Sequence, residues 1–143
     1  MAFTGNWTTN AFKTGLMDGT FNFTSGSFYL ALYTNSATLD ATTTAYTATG
    51  EASGGNYVAG GNLLTIAQAP TIGSQTGAAT AYISFDNTSW TGAITARGAL
   101  IYLSGGGNPA VCVLDFGADK TSTATFTVQF PAITNTSAII RIS

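Results

Sequence analysis

The stretch ATFTVQF, residues 124–130, shows the pattern that decides the fold. Ala124, Phe126, Val128 and Phe130 alternate in it with threonine and glutamine. Because successive side chains of a strand point to opposite faces, this period of two places all the apolar side chains on one face. The stretch therefore predicts a half-buried β-strand, and Pro131 follows it at a point where no ladder hydrogen bond is lost.

Other segments repeat this pattern along the chain. Apolar residues recur at every second position, or on both faces, in residues 27–34, 63–67, 79–86, 99–103, 110–116 and 138–142. Stretches rich in Gly, Ser and Asn separate them, with a long loop at 50–61, a turn at 104–109 and a hairpin connection at 117–122. About eight short strands at this spacing predict an all-β protein, an antiparallel, jelly-roll-like β-sandwich forming one domain over residues 1–143.

Two of these segments, residues 99–103 and 110–116, are apolar on both faces. Strands of this kind lie at the centre of a sheet, covered on both sides, or contact another subunit. The sequence leaves both interpretations open.

The first 20 residues do not follow the period of two. Phe12 and Leu16 lie at helical spacing, with Asn10 in position for an N-cap and Gly19 for a C-cap. This pattern predicts a short helix from about residue 10 to residue 19.

Phe3 and Trp7 precede that helix in an otherwise polar segment. We therefore interpret residues 1–20 as an N-terminal arm that includes the short helix. Phe3, Trp7 and Phe12 are its candidate partner-binding residues, because aromatic side chains commonly anchor protein interfaces.

The charge content excludes several classes of function. The chain has four basic and six acidic residues, 7% of its length, and a net charge of -2. Four scattered cations cannot form a basic stripe along a phosphate backbone, so we expect no nucleic-acid binding. No apolar run is long enough to span a bilayer and no signal-peptide pattern is present, so we expect no membrane association.

The residues needed for common catalytic and metal sites are few. With no histidine, neither a Ser-His-Asp nor a Cys-His arrangement can form. Cys112 lies mid-strand between valines, which is typical of a small buried side chain. Asp115 and Asp119 flank a turn, where they would cap the turn or, less commonly, bind calcium. Arg97 and Arg141 each lie within an apolar strand and are expected to be partly buried against a carboxylate such as Asp115.

We therefore predict a protein that is not an enzyme and has no catalytic, cofactor-binding or metal-binding residues. The one enzymatic alternative left by the composition is a carboxylate-based hydrolase, and no spacing of the acidic residues indicates the facing pair that it needs.

Aromatic residues in or near loops indicate a second kind of site. Trp7, Tyr46, Tyr57 and Trp90 have this position, where exposed rings stack on sugars or anchor a protein interface. Trp90 is thus a further candidate partner-binding residue. The alternative for Trp90 is that its ring closes one end of the core.

Four stretches resemble small virion structural proteins of tailed bacteriophages. They are YLALYTNSATLDATTTAYTATGEASGGNYVAGG (29–61), ARGALIY (96–102), VLDFGADKTSTATFTVQFP (113–131) and the closing AIIRIS (138–143). The resemblance covers most of the chain after about residue 12. It implies a protein of the virion, assembled in the host cytoplasm, and favours a decoration or cement protein on the capsid exterior. It implies no active-site residues.

From this resemblance we expect a homotrimer that binds the major capsid protein and stabilises the shell, with the N-terminal arm as its docking element. Deletion of residues 1–9 would then abolish particle binding and leave the fold intact. The alternative is a tail, neck or fibre component in which Trp90 and the 50–61 loop recognise surface glycans. A high copy number per particle would indicate decoration, and a low one would indicate the tail.

Overall fold

A computed structural model describes residues 3–73 and 79–143. Within those ranges the chain forms one helix and ten strands: β1 (Trp7–Thr8), α1 (Asn10–Asp18), β2 (Phe28–Tyr33), β3 (Asn62–Leu63), β4 (Ile66–Ile72), β5 (Ala81–Phe85), β6 (Thr88–Thr91), β7 (Ile94–Leu103), β8 (Ala110–Ser122), β9 (Thr125–Val128) and β10 (Ile140–Ile142). All pairings between these strands are antiparallel, which confirms the all-β prediction. Met1 and Ala2 of the predicted arm lie outside the described residues.

The strands form three sheets. The largest has five strands in the order β1-β8-β7-β2-β3, the second has the order β10-β5-β4, and the third is the pair β6-β9. The ladder between β7 and β8 runs from the pair Ile94–Ser122 to the pair Tyr102–Ala110. The two segments that are apolar on both faces thus lie within neighbouring interior strands of the five-stranded sheet.

One face of the five-stranded sheet, which we call the phenylalanine face, carries Phe28, Leu30 and Leu32 of β2. These side chains belong to one core cluster with residues of the other two sheets and of α1, including Phe12, Ile83, Phe85, Trp90 and Phe126. A single core therefore joins all three sheets and the helix.

The opposite face, which we call the tyrosine face, carries Tyr29, Ala31 and Tyr33 of β2. The segment between β2 and β3 and the N-terminal segment cover this face, with Phe3, Ala37, Leu39 and Tyr46 packed on it. The central-strand interpretation is therefore confirmed, because the chain itself covers both faces.

Glycines allow the 50–61 loop to approach the sheet closely. Gly61 has φ 78°, and a Cβ atom on it would lie 1.8 Å from the carbonyl oxygen of Leu30. Any larger residue would displace the loop from β2, and the left-handed φ would itself be strained. The predicted loop is present, and it is held against the sheet.

The helix prediction is confirmed, with a different N-cap. Thr9, in extended conformation, accepts a hydrogen bond from the Phe12 N–H at 3.1 Å, and Asn10 is already the first helical residue. Gly19 is the C-cap as expected, with φ 82° in the left-handed region. Thr9 is the N-cap because its side chain is fully buried, and its hydroxyl also donates to the carbonyl of Ala110, the first residue of β8.

The predicted hairpin connection at 117–122 is wrong. Strand β8 continues to Ser122, and only Thr123 and Ala124 join it to β9. Residues 116–119 instead form an irregular bulge, because these four residues lie opposite Arg97 alone, between the pairs Gly98–Asp115 and Ala96–Lys120. The short strands β1 and β6 were not predicted, and the 63–67 segment divides between β3 and β4.

In the ranges that the structure covers, no helix combines the length and the hydropathy needed to cross a membrane.

Candidate partner-binding site

Two of the predicted contact residues belong to the core of the chain itself. Phe3 and Phe12 are each only 2% exposed. The ring of Phe3 lies 5.7 Å below the Arg97 guanidinium, and the ring of Phe12 meets that of Phe21 edge-on at 5.0 Å. Neither side chain is available to a partner, because burial of these rings is what attaches the first 20 residues to the sheet.

The N-terminal segment is consequently not a free arm. Strand β1 pairs with β8 through Trp7–Val113, and Asn6 Oδ1 accepts a hydrogen bond from the Asp115 N–H at 2.6 Å. The Thr9 hydroxyl donates to the Ala110 carbonyl at 2.9 Å. Deleting residues 1–9 would remove a strand, a core aromatic side chain and a helix cap, so we now expect the deleted protein to lose stability instead of keeping its fold intact.

Trp7 is the predicted contact residue that lies at the surface. Its side chain is 40% exposed on the outermost strand of the five-stranded sheet. The indole N–H donates to the Thr4 hydroxyl at 3.2 Å, which fixes the ring. Trp7 therefore offers a partner a large side chain that has little rotamer freedom left to lose.

Trp90 and Tyr57 do not form a sugar-stacking platform. Trp90 is 2% exposed, pairs with Phe126 across β6 and β9, and lies 5.5 Å from the Tyr57 ring, centroid to centroid. The Tyr57 hydroxyl is also in use, since it accepts from the Leu32 N–H at 2.9 Å. The core-closing alternative for Trp90 is thus the observed one.

Glu51 is the centre of a hydrogen-bond network that the sequence did not reveal. Its Oε1 accepts from the Tyr57 hydroxyl and from the Gly60 N–H, both at 2.6 Å, and its Oε2 accepts from the Tyr46 hydroxyl at 2.7 Å. The Tyr102 hydroxyl donates to the Gly60 carbonyl at 2.8 Å. These bonds join the 50–61 loop to the tyrosine face.

The tyrosines of this network stay protonated far into the alkaline range. Burial raises the pKa of Tyr102 to about 12 and raises the pKa of Tyr33, Tyr46 and Tyr57 further still, with the nearby Glu51 carboxylate adding to each shift. They act as neutral hydrogen-bond donors, which is a structural role. The sequence feature that could have indicated this network is Glu51, the one glutamate of the chain, which lies among tyrosines and glycines.

The expected pair between Arg97 and Asp115 is present as a largely buried salt bridge. For Arg141 the prediction of partial burial is wrong, since its side chain is exposed and donates to the Thr136 carbonyl at 2.7 Å. Asp115 Oδ1 also accepts a hydrogen bond from the Gly117 N–H at 2.8 Å, so the carboxylate caps the start of the bulge at 116–119. Asp119 is exposed. Across residues 3–73 and 79–143, no three Cys, Asp or Glu side chains lie together as a metal-binding group, and turn capping is the role observed for Asp115.

The thiol of Cys112 is buried, as predicted, and burial raises its pKa to about 12. A thiol of this kind is neutral and inaccessible, so it acts as a small apolar side chain.

Exposed apolar side chains concentrate beside α1. Leu16 and Met17 lie on the helix, and the in-register row Ile72–Ala81–Ile142 crosses the three-stranded sheet next to it. A mainly apolar groove of about 380 Å³ separates the helix from this sheet. We call this area the helix-side patch, and sequence reasoning missed it because its members come from four separate segments.

Comparison with protein families, with curated proteins and with solved structures finds no match to this chain.

Proposed function

We propose that the protein is a structural subunit of a bacteriophage virion, and specifically a decoration or cement protein that binds the outside of the capsid. The sequence resemblance to small virion proteins of tailed phages is the first support. The observation that carries the proposal is how the chain distributes its chemistry between interior and surface.

The reactive side chains near the core are occupied by structural contacts. Glu51 accepts hydrogen bonds from two tyrosines, Asp115 pairs with Arg97, and the Cys112 thiol is buried. The surface instead presents neutral hydroxyl and amide groups together with apolar side chains such as Met17, which is 85% exposed. A protein with this surface can contact partners through neutral polar groups and apolar side chains.

The proposed capsid contacts are the helix-side patch and, separately, Trp7, which lies opposite Val113 of the tyrosine-face cluster and therefore on the other side of the five-stranded sheet. Clustered exposed apolar side chains are typical of protein interaction sites. Binding to assembled shells, and not to separated capsid subunits, would stabilise the shell by mass action. Many copies on one shell would add their weak contacts.

We also propose a specific arrangement of the three sheets. We treat the three-stranded and two-stranded sheets as a second layer facing the five-stranded sheet, in a jelly-roll-like sandwich. A homotrimer would suit such a body at a local threefold position of the capsid, since closed symmetry covers sheet edges and apolar patches together.

The test compares two exposed apolar positions on phage particles. Met17→Glu places a charge in the helix-side patch, and Val58→Glu places the same charge at another exposed position as the matched control. Copies per particle are measured by quantitative mass spectrometry against the major capsid protein. We expect Met17→Glu to reduce occupancy at least tenfold and Val58→Glu to leave it unchanged.

Full occupancy with Met17→Glu would reject the helix-side patch as the contact. A wild-type copy number of only a few per particle would reject decoration and favour a tail or neck component.

A further inference from the structure

The hydrogen-bond pattern of the β6-β9 sheet identifies which backbone groups point away from it. The Gly92 N–H donates to the Ala124 carbonyl at 2.7 Å, so these residues form a hydrogen-bonded pair at the end of the ladder. Hydrogen-bonded and non-hydrogen-bonded pairs alternate along an antiparallel ladder. The pairs Thr91–Thr125 and Ser89–Thr127 are therefore non-hydrogen-bonded, and their N–H and C=O groups face outward.

On β6 three of these four outward groups, all but the Ser89 N–H, bond to two asparagines. Asn56 Oδ1 accepts from the Thr91 N–H at 2.8 Å, and the Asn56 N–H donates to the Thr91 carbonyl at 2.9 Å. Asn62 Nδ2 donates to the Ser89 carbonyl at 3.0 Å. These side chains cap the β6 edge, and no further strand can be added there.

On β9 the equivalent residues are Thr125 and Thr127, and both are exposed. Within residues 3–73 and 79–143, no strand pairs with this side of β9 and no side chain donates to or accepts from these two backbones. An uncapped strand edge is a template for pairing with another chain. The β6 edge of this small sheet is thus largely capped by asparagines, and its β9 edge is open.

A cleft lies along the uncapped edge. Strands β8 and β9 are consecutive but do not pair with each other, and they diverge around an open space of about 420 Å³. Phe116, Phe126 and Val128 contribute apolar surface to it, and threonines contribute hydroxyl groups. Lys120 is the charged residue that lines the cleft.

We propose that this cleft binds an extended segment of a partner protein, which adds to β9 as a strand. Backbone bonds to Thr125 and Thr127 would supply affinity, as in other cases of strand addition. Apolar side chains at alternate positions would contact Phe116 and Phe126, and a carboxylate of the segment would meet the Lys120 ammonium.

Charge favours a partner over a second copy of this chain. Among the described residues, none of the strands at a sheet edge (β1, β3, β4, β6, β9 and β10) contains an aspartate or glutamate. A second copy that added one of its own edge strands to β9 would therefore place no carboxylate of that strand beside Lys120. This peptide site is separate from the capsid contact proposed above, which uses another surface.

The test uses a synthetic peptide of alternating valine and threonine with one central glutamate and capped ends. Binding to the full chain is followed by fluorescence anisotropy, and protection of the Thr125 and Thr127 amides is followed by hydrogen exchange. We expect both amides to exchange more slowly in the complex. A peptide of the same length with a central proline should bind at least tenfold more weakly, because proline removes a donor and disrupts the added strand.

Two protein variants sharpen the result. Thr127→Pro removes an outward N–H and leaves the β6 pairing in place, whereas Thr127→Ala keeps that N–H and is the matched control. We expect at least a tenfold loss of peptide affinity for the proline variant and less than a twofold change for the alanine variant. Lys120→Gln should weaken binding of the glutamate peptide by about threefold and leave a glutamine version of the peptide unaffected.

N-methylated peptides make the test independent of how the variants fold. Methyl groups on one alternate set of peptide nitrogens should weaken binding at least tenfold more than methyl groups on the other set. Equal binding of all peptides, or no binding at millimolar concentration, would overturn the proposal. Concentration-dependent dimerisation that Thr127→Pro abolishes would also overturn it, because the occupant would then be a second copy.

Discussion

The two faces of the five-stranded sheet are buried by different physical means. The phenylalanine face packs Phe28, Leu30 and Leu32 against aromatic and aliphatic side chains of the other sheets. The tyrosine face is covered by loop segments, and hydrogen bonds converging on Glu51 attach part of that cover to it. The first arrangement depends on buried apolar area, whereas the second combines buried apolar area with a hydrogen-bond network that has one central acceptor group.

This difference predicts different responses to mutation. Burial of apolar surface is non-directional and is shared over many contacts. A buried hydrogen-bond network is directional, and the removal of one member leaves its partners without bonds. We expect the phenylalanine face to set most of the free energy of unfolding, and the tyrosine face to set the position of the 50–61 loop.

The largest expected effect is on the phenylalanine face. Leu32 is fully buried, so Leu32→Ala should lower the free energy of unfolding by about 3 kcal/mol through lost burial and a residual cavity. Urea denaturation measures this change, with Val58→Ala at an exposed position as the control. A loss below about 1 kcal/mol would show that the face collapses around the gap, and would weaken the contrast between the two faces.

A smaller effect is expected at the centre of the tyrosine face. Glu51→Ala leaves the Tyr46 and Tyr57 hydroxyls and the Gly60 N–H without their acceptor, and should cost about 2 kcal/mol. Its distinguishing feature is location, since hydrogen exchange should accelerate in residues 50–61 while β7 and β8 stay protected. Uniform acceleration over the whole chain would contradict the separate role of this face.

How far the sequence predicted the molecule follows from the same contrast. The alternation in residues 124–130 predicted a strand because burial on one face leaves a period of two in the sequence. The Glu51 network escaped prediction because Tyr46, the 50–61 loop and Tyr102 of β7 are separate in the sequence, and all its members but Tyr102 looked like loop residues. Phe3 and Trp90 were predicted as contact residues for a similar reason. Each lies next to polar residues in the sequence, and each side chain is nevertheless buried in the core.

Alkaline pH should act on the buried tyrosines and on the buried Cys112 thiol. An unfolded tyrosine ionises near pH 10 and an unfolded thiol near pH 8.5, whereas the folded pKa values of Tyr102 and Cys112 are about 12 and those of Tyr33, Tyr46 and Tyr57 are higher. The unfolded state therefore loses protons first, and the free energy of unfolding should fall slightly as the pH passes about 8.5 and more steeply above about pH 10. Urea denaturation at successive pH values measures the fall.

The control for the alkaline effect is Tyr102→Phe, which removes one ionisable group and should make the fall shallower. An absorbance titration provides a second measurement, in which a delayed set of tyrosines should ionise above pH 11. Ionisation of all six tyrosines in one transition near pH 10 would be inconsistent with a buried network.

The smallest effect on stability is expected outside both faces, at Trp7. Its ring is partly exposed at the sheet edge, so Trp7→Ala should change the free energy of unfolding by only about 1 kcal/mol. Under the proposed function its effect on particle occupancy should be much larger than its effect on stability. A loss of stability as large as that of Leu32→Ala would assign Trp7 to the core instead.

The asparagine caps determine how the protected strand edges respond to salt. Many proteins protect strand edges with lysine or other charged side chains, whose repulsion weakens as counterions accumulate. Asn6, Asn56 and Asn62 protect strand edges by hydrogen bonds from neutral side chains, so these edges should be equally protected at low and at high salt concentration. These asparagines are vulnerable to deamidation, because heat slowly hydrolyses their amides and would irreversibly remove the Asn62 donor.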